Sequence, residues 1–183
     1  MFALSQHRSP RAGQLIRDYA DKADVPVELR KQAIFDISQQ QSAENATFLR
    51  TLYGKLTDED LKERVLFSVS QMRGQGTSKW LLEIAANQKE SIEMRKKALF
   101  WAGQQSETDF ATFSGLYDSM TDREMKRQLI YVYSQRNEPA AVDRLLEIAQ
   151  KEQDRELRKQ AIFWLSQSRD PRVAKFLEDI LTR

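Results

Sequence analysis

Few residues in this sequence have the chemistry of a familiar active site. The chain of 183 residues has no cysteine and one histidine, His7, which excludes thiolate metal sites and clusters of several histidines. A nucleophilic triad with a histidine base would have only His7 to use. Trp101, Trp164 and Asp36 occupy the same place in three different copies of a repeated segment. We therefore predict no catalytic residue, no metal and no cofactor, and we expect that the chain is not an enzyme.

Two sets of residues recur along the chain and suit binding rather than catalysis. An aromatic residue and a glutamine each return every 31 to 33 residues. The aromatic set is Phe35, Phe67, Phe100, Tyr131 and Phe163, and the glutamine set is Gln39, Gln71, Gln104, Gln135 and Gln167. One interpretation is a ligand groove, in which rigid rings are apolar anchors and the amides bond an extended peptide backbone. The other is that each ring fills the seam between neighbouring helices, with the glutamines bonding one another or helix ends.

Lysines and arginines form a third recurring set. The members are Arg30, Lys31, Lys62, Arg64, Arg95, Lys96, Lys97, Lys126, Arg127, Arg158 and Lys159. Such a stripe can bind phosphate or an acidic partner. Acidic residues nearby predict i,i+3 ion pairs, Glu28–Lys31, Glu93–Lys96, Glu124–Arg127 and Glu156–Lys159, and the i,i+4 pair Asp60–Arg64. Because the net charge is only +2, the sequence favours a salt-bridged face in water over a nucleic-acid site.

These sets recur because one eleven-residue segment occurs five times. Its copies are Leu29–Gln39, Leu61–Gln71, Met94–Gln104, Met125–Gln135 and Leu157–Gln167. With the first residue as position 0, apolar residues at positions 0, 4, 5 and 8 share one side of an α-helix, here called helix B. The aromatic set is at position 6 and the glutamine set at position 10, while a small residue at position 9 allows a partner helix to approach. A fixed period of this length predicts a solenoid.

A second amphipathic segment, helix A, precedes each copy. We predict A helices over 11–20, 43–54, 77–87, 107–118, 139–149 and 171–182, and B helices over 27–40, 58–72, 92–105, 122–135 and 154–168. Thr57 and Thr121 each stand three residues before an acid, as in a capping box, and are the predicted start signals of two B helices.

A two-helix unit of this length, opened by an aliphatic residue and an arginine or lysine, resembles the HEAT repeat. The likeness is greatest to short bacterial HEAT-like repeats, including those related to phycobilin lyases. The family pattern is matched by Asp154, Leu157, Arg158, Ala161, Ile162, Leu165 and Ser166. The resemblance implies an all-α fold, an α-solenoid of about five HEAT-like helix-pair repeats with partial repeats at both ends. It also implies that helix B lines the concave face, and that position 1 ties adjacent repeats through Arg30, Lys62, Arg95, Lys126 and Arg158.

The chain reads as a single HEAT-like domain over residues 1–183. Phe2–Gln6 matches the end of a B helix, so we expect a part of a longer repeat protein, or alternatively natural half-unit caps. No apolar run approaches the length of a membrane span and no leader is visible, so we expect no membrane insertion. The compartment and the oligomeric state stay open.

The resemblance and the recurring sets together favour a non-enzymatic protein–protein interaction scaffold, with a protein or peptide on the concave face. The alternatives are a nucleic-acid-binding module, an enzyme like the HEAT-like DNA glycosylases, or a structural spacer within a larger protein. The predicted partner-binding residues are the aromatic and glutamine sets together with Lys31, Lys96, Trp101, Arg127, Lys159 and Trp164.

Overall fold

The computed structural model describes residues 9–74, 76–105 and 108–181, and these form α-helices joined by turns, without a strand. The A helices are α1 (Pro10–Asp21), α3 (Ala43–Lys55), α5 (Thr77–Ala86), α7 (Phe110–Ser114), α8 (Leu116–Ser119), α10 (Pro139–Lys151) and α12 (Pro171–Leu181). The B helices are α2 (Val27–Gln39), α4 (Glu59–Ser70), α6 (Ile92–Gly103), α9 (Arg123–Ser134) and α11 (Arg155–Ser166). The predicted all-α repeat of alternating A and B helices is confirmed.

One predicted helix is wrong in detail. The segment predicted as a single A helix over 107–118 forms two short helices, α7 and α8, with Gly115 between them. Glycine lowers helix stability because its backbone loses more entropy than that of other residues. The Ser114 hydroxyl also donates to the carbonyl of Ala111, a local bond that competes with the regular helix. Residues 1–8, with His7 and the predicted half-helix, and Glu107 at the start of this segment lie outside the described residues.

The chain divides into two compact units, Met1–Ala102 and Gly103–Arg183. In the first unit α1 packs against α2, α2 against α4, and α4 against α3 and α5. The apolar stripe of α4 shows why these helices associate: Leu61, Val65, Leu66 and Val69 are all fully buried. Burial of each such side chain contributes about 1.5–3 kcal/mol, so packing of this stripe, rather than helix propensity, holds the element in place.

The second unit repeats this arrangement, with α9 and α10 packed against α11. Position 8 of α9 is Tyr133, whose buried hydroxyl donates to the carbonyl of Phe113 at 2.6 Å. Position 9 confirms the predicted need for a small residue. A Cβ added to Gly103 would lie 2.6 Å from Cγ1 of Val132, which is too close for two carbon atoms.

Three of the B helices begin at aspartates, two of them directly after the predicted threonines. The side chains of Asp58, Asp122 and Asp154 accept hydrogen bonds from backbone N–H groups in the first turns of α4, α9 and α11. Thr57 and Thr121 were therefore the wrong start signals, because the residue after each of them supplies the cap. An N-cap of this kind is worth about 0.5–2 kcal/mol.

Candidate functional site

The aromatic set at position 6 lies between the core and the solvent. Phe35, Phe67, Phe100 and Tyr131 are half-buried, and Phe163 is 57% exposed. A ring that only filled a seam would be buried, and a ring that only decorated the surface would lack aromatic neighbours. These rings therefore present one edge to the solvent while the other edge packs against the protein.

The two tryptophans at position 7 pack against the aromatic set in the same way. In the first unit the Trp101 ring lies 5.3 Å from Phe67 of the preceding B helix and 4.9 Å from Phe100. In the second unit Trp164 lies 5.4 Å from Tyr131 and 5.1 Å from Phe163. Such edge-to-face and tilted pairs are worth about 0.5–1.5 kcal/mol beyond their buried area. The tryptophans thus fill the seams between B helices, and the position 6 rings form the rim.

All five glutamines at position 10 are exposed. The side-chain amides of Gln71, Gln135 and Gln167 donate to the hydroxyl of the preceding serine at 3.1, 3.1 and 3.2 Å. Those serine hydroxyls in turn donate at 2.7 Å to the carbonyl of the position 6 aromatic residue of the same helix. These three glutamines are therefore oriented by their own helices, and an amide held in this way loses less freedom on binding a partner.

A groove of about 330 Å³ in the first unit brings three of the predicted residues together. Its lining is Lys31, Asp60, Glu63, Arg64, Phe67 and Trp101. Asp60 pairs with Lys31 of the preceding B helix at 3.1 Å instead of forming the predicted pair with Arg64. The Arg64 guanidinium lies 5.9 Å from the centroid of the Phe67 ring. Aromatic rings form one part of this groove, and charged side chains, of which Lys31, Asp60 and Glu63 are in ion pairs, form the rest.

The four cations predicted to bind a partner each form an ion pair with a carboxylate of the chain; they are Lys31, Lys96, Arg127 and Lys159. Lys31 pairs with Glu28 at 3.0 Å. The other predicted i,i+3 pairs are Lys96–Glu93 at 3.1 Å, Lys159–Glu156 at 2.9 Å and Arg127–Glu124 at 3.9 Å. The hydrogen bond from Lys159 lowers the pKa of Glu156. These contacts confirm the predicted salt-bridged face. Exposed pairs stabilise little, but they reduce the positive potential that a phosphate backbone would meet.

The second unit has a groove of about 540 Å³ that collects other predicted residues. Gln135, Trp164 and Gln167 lie on its walls, next to the turns that follow α9 and α11. Asp170 in the second of these turns accepts from Arg172, and this bond lowers the pKa of Asp170 to about 2. The two grooves, one within each unit, thus bring together three predicted residues each, and the other predicted residues line neither of them. Whether any of these residues bind a partner stays a prediction.

A buried ionic cluster was missed by reasoning from the sequence. In the first unit the Lys62 ammonium lies 2.9 Å from the Glu90 carboxylate, and the Tyr53 hydroxyl donates to the same carboxylate at 2.9 Å. Lys62 also lies 5.2 Å from the centroid of the Tyr53 ring. Burial raises the pKa of Glu90, but bonds from Lys62, the Ser91 N–H and Tyr53 outweigh it and leave the pKa low. Burial and the bond to Glu90 raise the pKa of Tyr53.

The same cluster recurs in the second unit. The Tyr117 hydroxyl donates to Glu152 at 2.7 Å, and Lys126 lies 3.4 Å from that carboxylate and 4.8 Å from the Tyr117 ring. The signal in the sequence was a tyrosine nine residues before a lysine at position 1, in the second and fourth repeats. It was missed because the partner glutamates lie in turns, where the repeat pattern carries no information.

The implied role of position 1 divides between its arginines and lysines. Lys62 and Lys126 each reach the turn before the next B helix, and so tie adjacent repeats as the HEAT resemblance implies. Arg30 and Arg95 instead donate to the carbonyls of Ala20 and Ala85, at the ends of α1 and α5. They join the A and B helices of a single repeat, and a cation at a helix C-terminus is stabilising. Arg158 donates to the turn directly before its own helix.

Two further findings concern the described part of the chain. Over residues 9–74, 76–105 and 108–181, no three His, Cys, Asp or Glu side chains are grouped so that they could hold a metal ion. Over the same residues, no helix has the length and apolar character needed to cross a bilayer.

Comparison with known proteins supports the assigned fold and does not identify an activity. No protein-family model matches the chain, and no curated protein matches its sequence. Among solved structures, the chain is similar to human deoxyhypusine hydroxylase in complex with glycerol, with a TM-score of 0.56 and 16% identity. The match covers 100% of this chain and 69% of the hydroxylase. At this identity the likeness shows the fold alone, a helical HEAT-like repeat.

This neighbour corrects one expectation from the sequence. The chain was expected not to be an enzyme, because its residues match no familiar active site. That expectation was wrong, since a solved structure with this repeat fold, the hydroxylase, is an enzyme. Neither the fold nor the missing histidines and cysteines is an argument against catalysis.

Proposed function

We propose that the chain binds a polypeptide partner on the B face, defined as the aromatic set at position 6 and the glutamine set at position 10. The observation that carries the proposal is the combination of half-exposed rings and exposed, oriented amides on the same helices. Aromatic anchors and amide donors and acceptors are the groups that recognise side chains and backbone of an extended peptide.

The charges of the same face support a polypeptide over a nucleic acid. Lys31, Lys96 and Lys159 each have a carboxylate of the chain within 3.1 Å. A nucleic-acid interface depends on cations that are available to replace the counterions of the phosphates. Here a phosphate would first have to displace Glu28, Glu93 or Glu156, which offsets much of its gain.

The test is a selection from a displayed library of random peptides on the immobilised chain. Selected peptides are synthesised with a fluorescent label and titrated by anisotropy. The B-face variant replaces Phe163 and the glutamine set by alanine, all of which are exposed, so the fold is retained. The matched control replaces Tyr19, Gln88 and Gln150, which are exposed away from the B face.

We expect the B-face variant to bind selected peptides at least about tenfold more weakly, since a net loss of one or two hydrogen bonds and an anchor exceeds about 1.4 kcal/mol. The control should bind like the original chain. The proposal fails if no peptide is enriched, or if both variants bind equally well. It also fails if a 20-base-pair DNA duplex binds tighter than micromolar at physiological salt while the peptides do not.

A further inference from the structure

The groove of the first unit contains one cation that no residue in the described part of the chain neutralises. Lys31 lies between Glu28 and Asp60, at 3.0 and 3.1 Å, and Lys97 donates to Glu63. Arg64 has no ion pair or hydrogen bond with any residue in the described part of the chain, and its contact is with the Phe67 ring. The guanidinium is thus the group of this groove whose charge remains for a partner.

Arg64 is also held in a suitable place for recognition. It lies three residues before Phe67 on α4, so the two side chains share one face of the helix. The cation–π contact with the ring, at 5.9 Å, favours this position of the guanidinium, whose planar fork matches a carboxylate with two parallel hydrogen bonds. Beside it, the Phe67 and Trp101 rings at 5.3 Å provide an apolar wall.

From this geometry we propose that the groove binds an acidic-apolar peptide motif, in which a carboxylate pairs with Arg64 and a neighbouring apolar side chain packs on Phe67 and Trp101. This inference rests on the proposed function and names the chemistry of the partner. Asp60 and Glu63 occupy the other cations of the groove, Lys31 and Lys97, so each phosphate of a nucleic acid after the first would have to displace one of these carboxylates. A single carboxylate can approach Arg64 without that penalty.

The test uses two labelled peptides of about ten residues, capped at both ends. In one, a single glutamate is flanked by leucine and phenylalanine and the other positions are serine and glycine; in the other, that glutamate is replaced by glutamine. Both are titrated by anisotropy against the full chain and against Arg64→Gln and Arg64→Lys. The matched control is Arg11→Gln, which removes an exposed arginine from the A helix α1 of the same unit. Thermal melts establish that each variant is folded, as expected where no ion pair is lost.

We expect the chain to prefer the glutamate peptide by about tenfold, the effect of one charge-assisted pair. Arg64→Gln should remove the preference, Arg64→Lys should retain part of it, and Arg11→Gln should leave it intact. A preference that survives Arg64→Gln overturns the inference. Equal binding of the two peptides also overturns it, and the proposed function then stands on the library selection. If neither peptide binds at millimolar concentration, the inference is overturned, and enrichment in the library decides the proposed function separately.

Discussion

Replacement of Lys62 by methionine tests whether the buried cluster joins successive repeats. The side chains of Lys62 and Glu90 are 17% and 10% exposed, so they lie between a surface pair and a fully buried pair. Breaking a fully buried pair costs about 3–5 kcal/mol, whereas a surface pair is worth about 0–1 kcal/mol. We therefore expect Lys62→Met to lower the free energy of unfolding by about 2 kcal/mol, because Glu90 keeps its charge and its burial but loses its cation.

A double-mutant cycle isolates the pair from other effects of each substitution. Urea unfolding of the chain, Lys62→Met, Glu90→Gln and the double variant gives a coupling energy, expected at about 1–2 kcal/mol. The matched pair in the second unit is Lys126 and Glu152. Its separation is 3.4 Å rather than 2.9 Å, so its coupling should be smaller.

The pH dependence gives the cluster a second signature. The pKa of Glu90 is lower in the folded chain than in the unfolded chain, where it is about 4.3. The contribution of the Glu90 carboxylate to the free energy of unfolding is therefore fully present above pH 5, and it is lost as the pH falls through the folded-state pKa. The difference in stability between the chain and Glu90→Gln should be constant from pH 7 to pH 5 and should shrink below about pH 4. A coupling energy near zero, or a difference that grows on acidification, would refute the assignment of a stabilising cluster.

Three substitutions near the end of α6 and one in α9 test the packing of the B helices. Phe100→Ala should cost about 1–2 kcal/mol in urea unfolding, since its ring is half-buried against Trp101, while Leu99→Ala at the fully buried neighbour should cost about 2–5 kcal/mol. Equal losses would mean that the Phe100 ring is a core residue without an open edge. Gly103→Ala should cost about 1–3 kcal/mol because its Cβ would overlap Val132, and Val132→Ala in the same chain should recover most of that loss. If Gly103→Ala is neutral, the close approach at position 9 is not a constraint.

The sequence predicted the helices well because one apolar pattern was repeated five times. Each copy of the B helix placed its stripe at positions 0, 4, 5 and 8, and the stripe of α4 is fully buried as expected. The prediction was wrong where the repeat is irregular. Phe110–Ser119 has enough apolar residues to match the pattern of one helix, but Gly115 divides it into two. The prediction was wrong because it was based on the apolar residues and took no account of the glycine.

The candidate site was only partly predictable for a different reason. The half-burial of the rings does not follow from helix periodicity, since position 6 lies opposite the buried stripe at positions 0, 4, 5 and 8. Periodicity could not show which of two carboxylates a cation would select. Asp60 is four residues from Arg64 on the same helix, yet it pairs with Lys31 across the seam, and this choice depends on the spacing between helices. Tyr53 and Glu90 are 37 residues apart in the sequence, and their contact depends on how the helices pack, which the repeat pattern does not show.

Position 1 alternates along the chain: Arg30, Lys62, Arg95, Lys126 and Arg158. Each lysine binds a glutamate in the turn before the next B helix. The tyrosines that bind the same glutamates, Tyr53 and Tyr117, are 64 residues apart in the sequence. The cluster therefore has a period of two repeats. Excision of the single repeat that carries Glu90 would remove the acceptor of Lys62, whereas excision of that repeat together with the next would bring Lys62 to the turn that carries Glu152. Duplication of an ancestor with two repeats would produce this alternation. Longer or shorter arrays built from this sequence should therefore add or remove two repeats at a time.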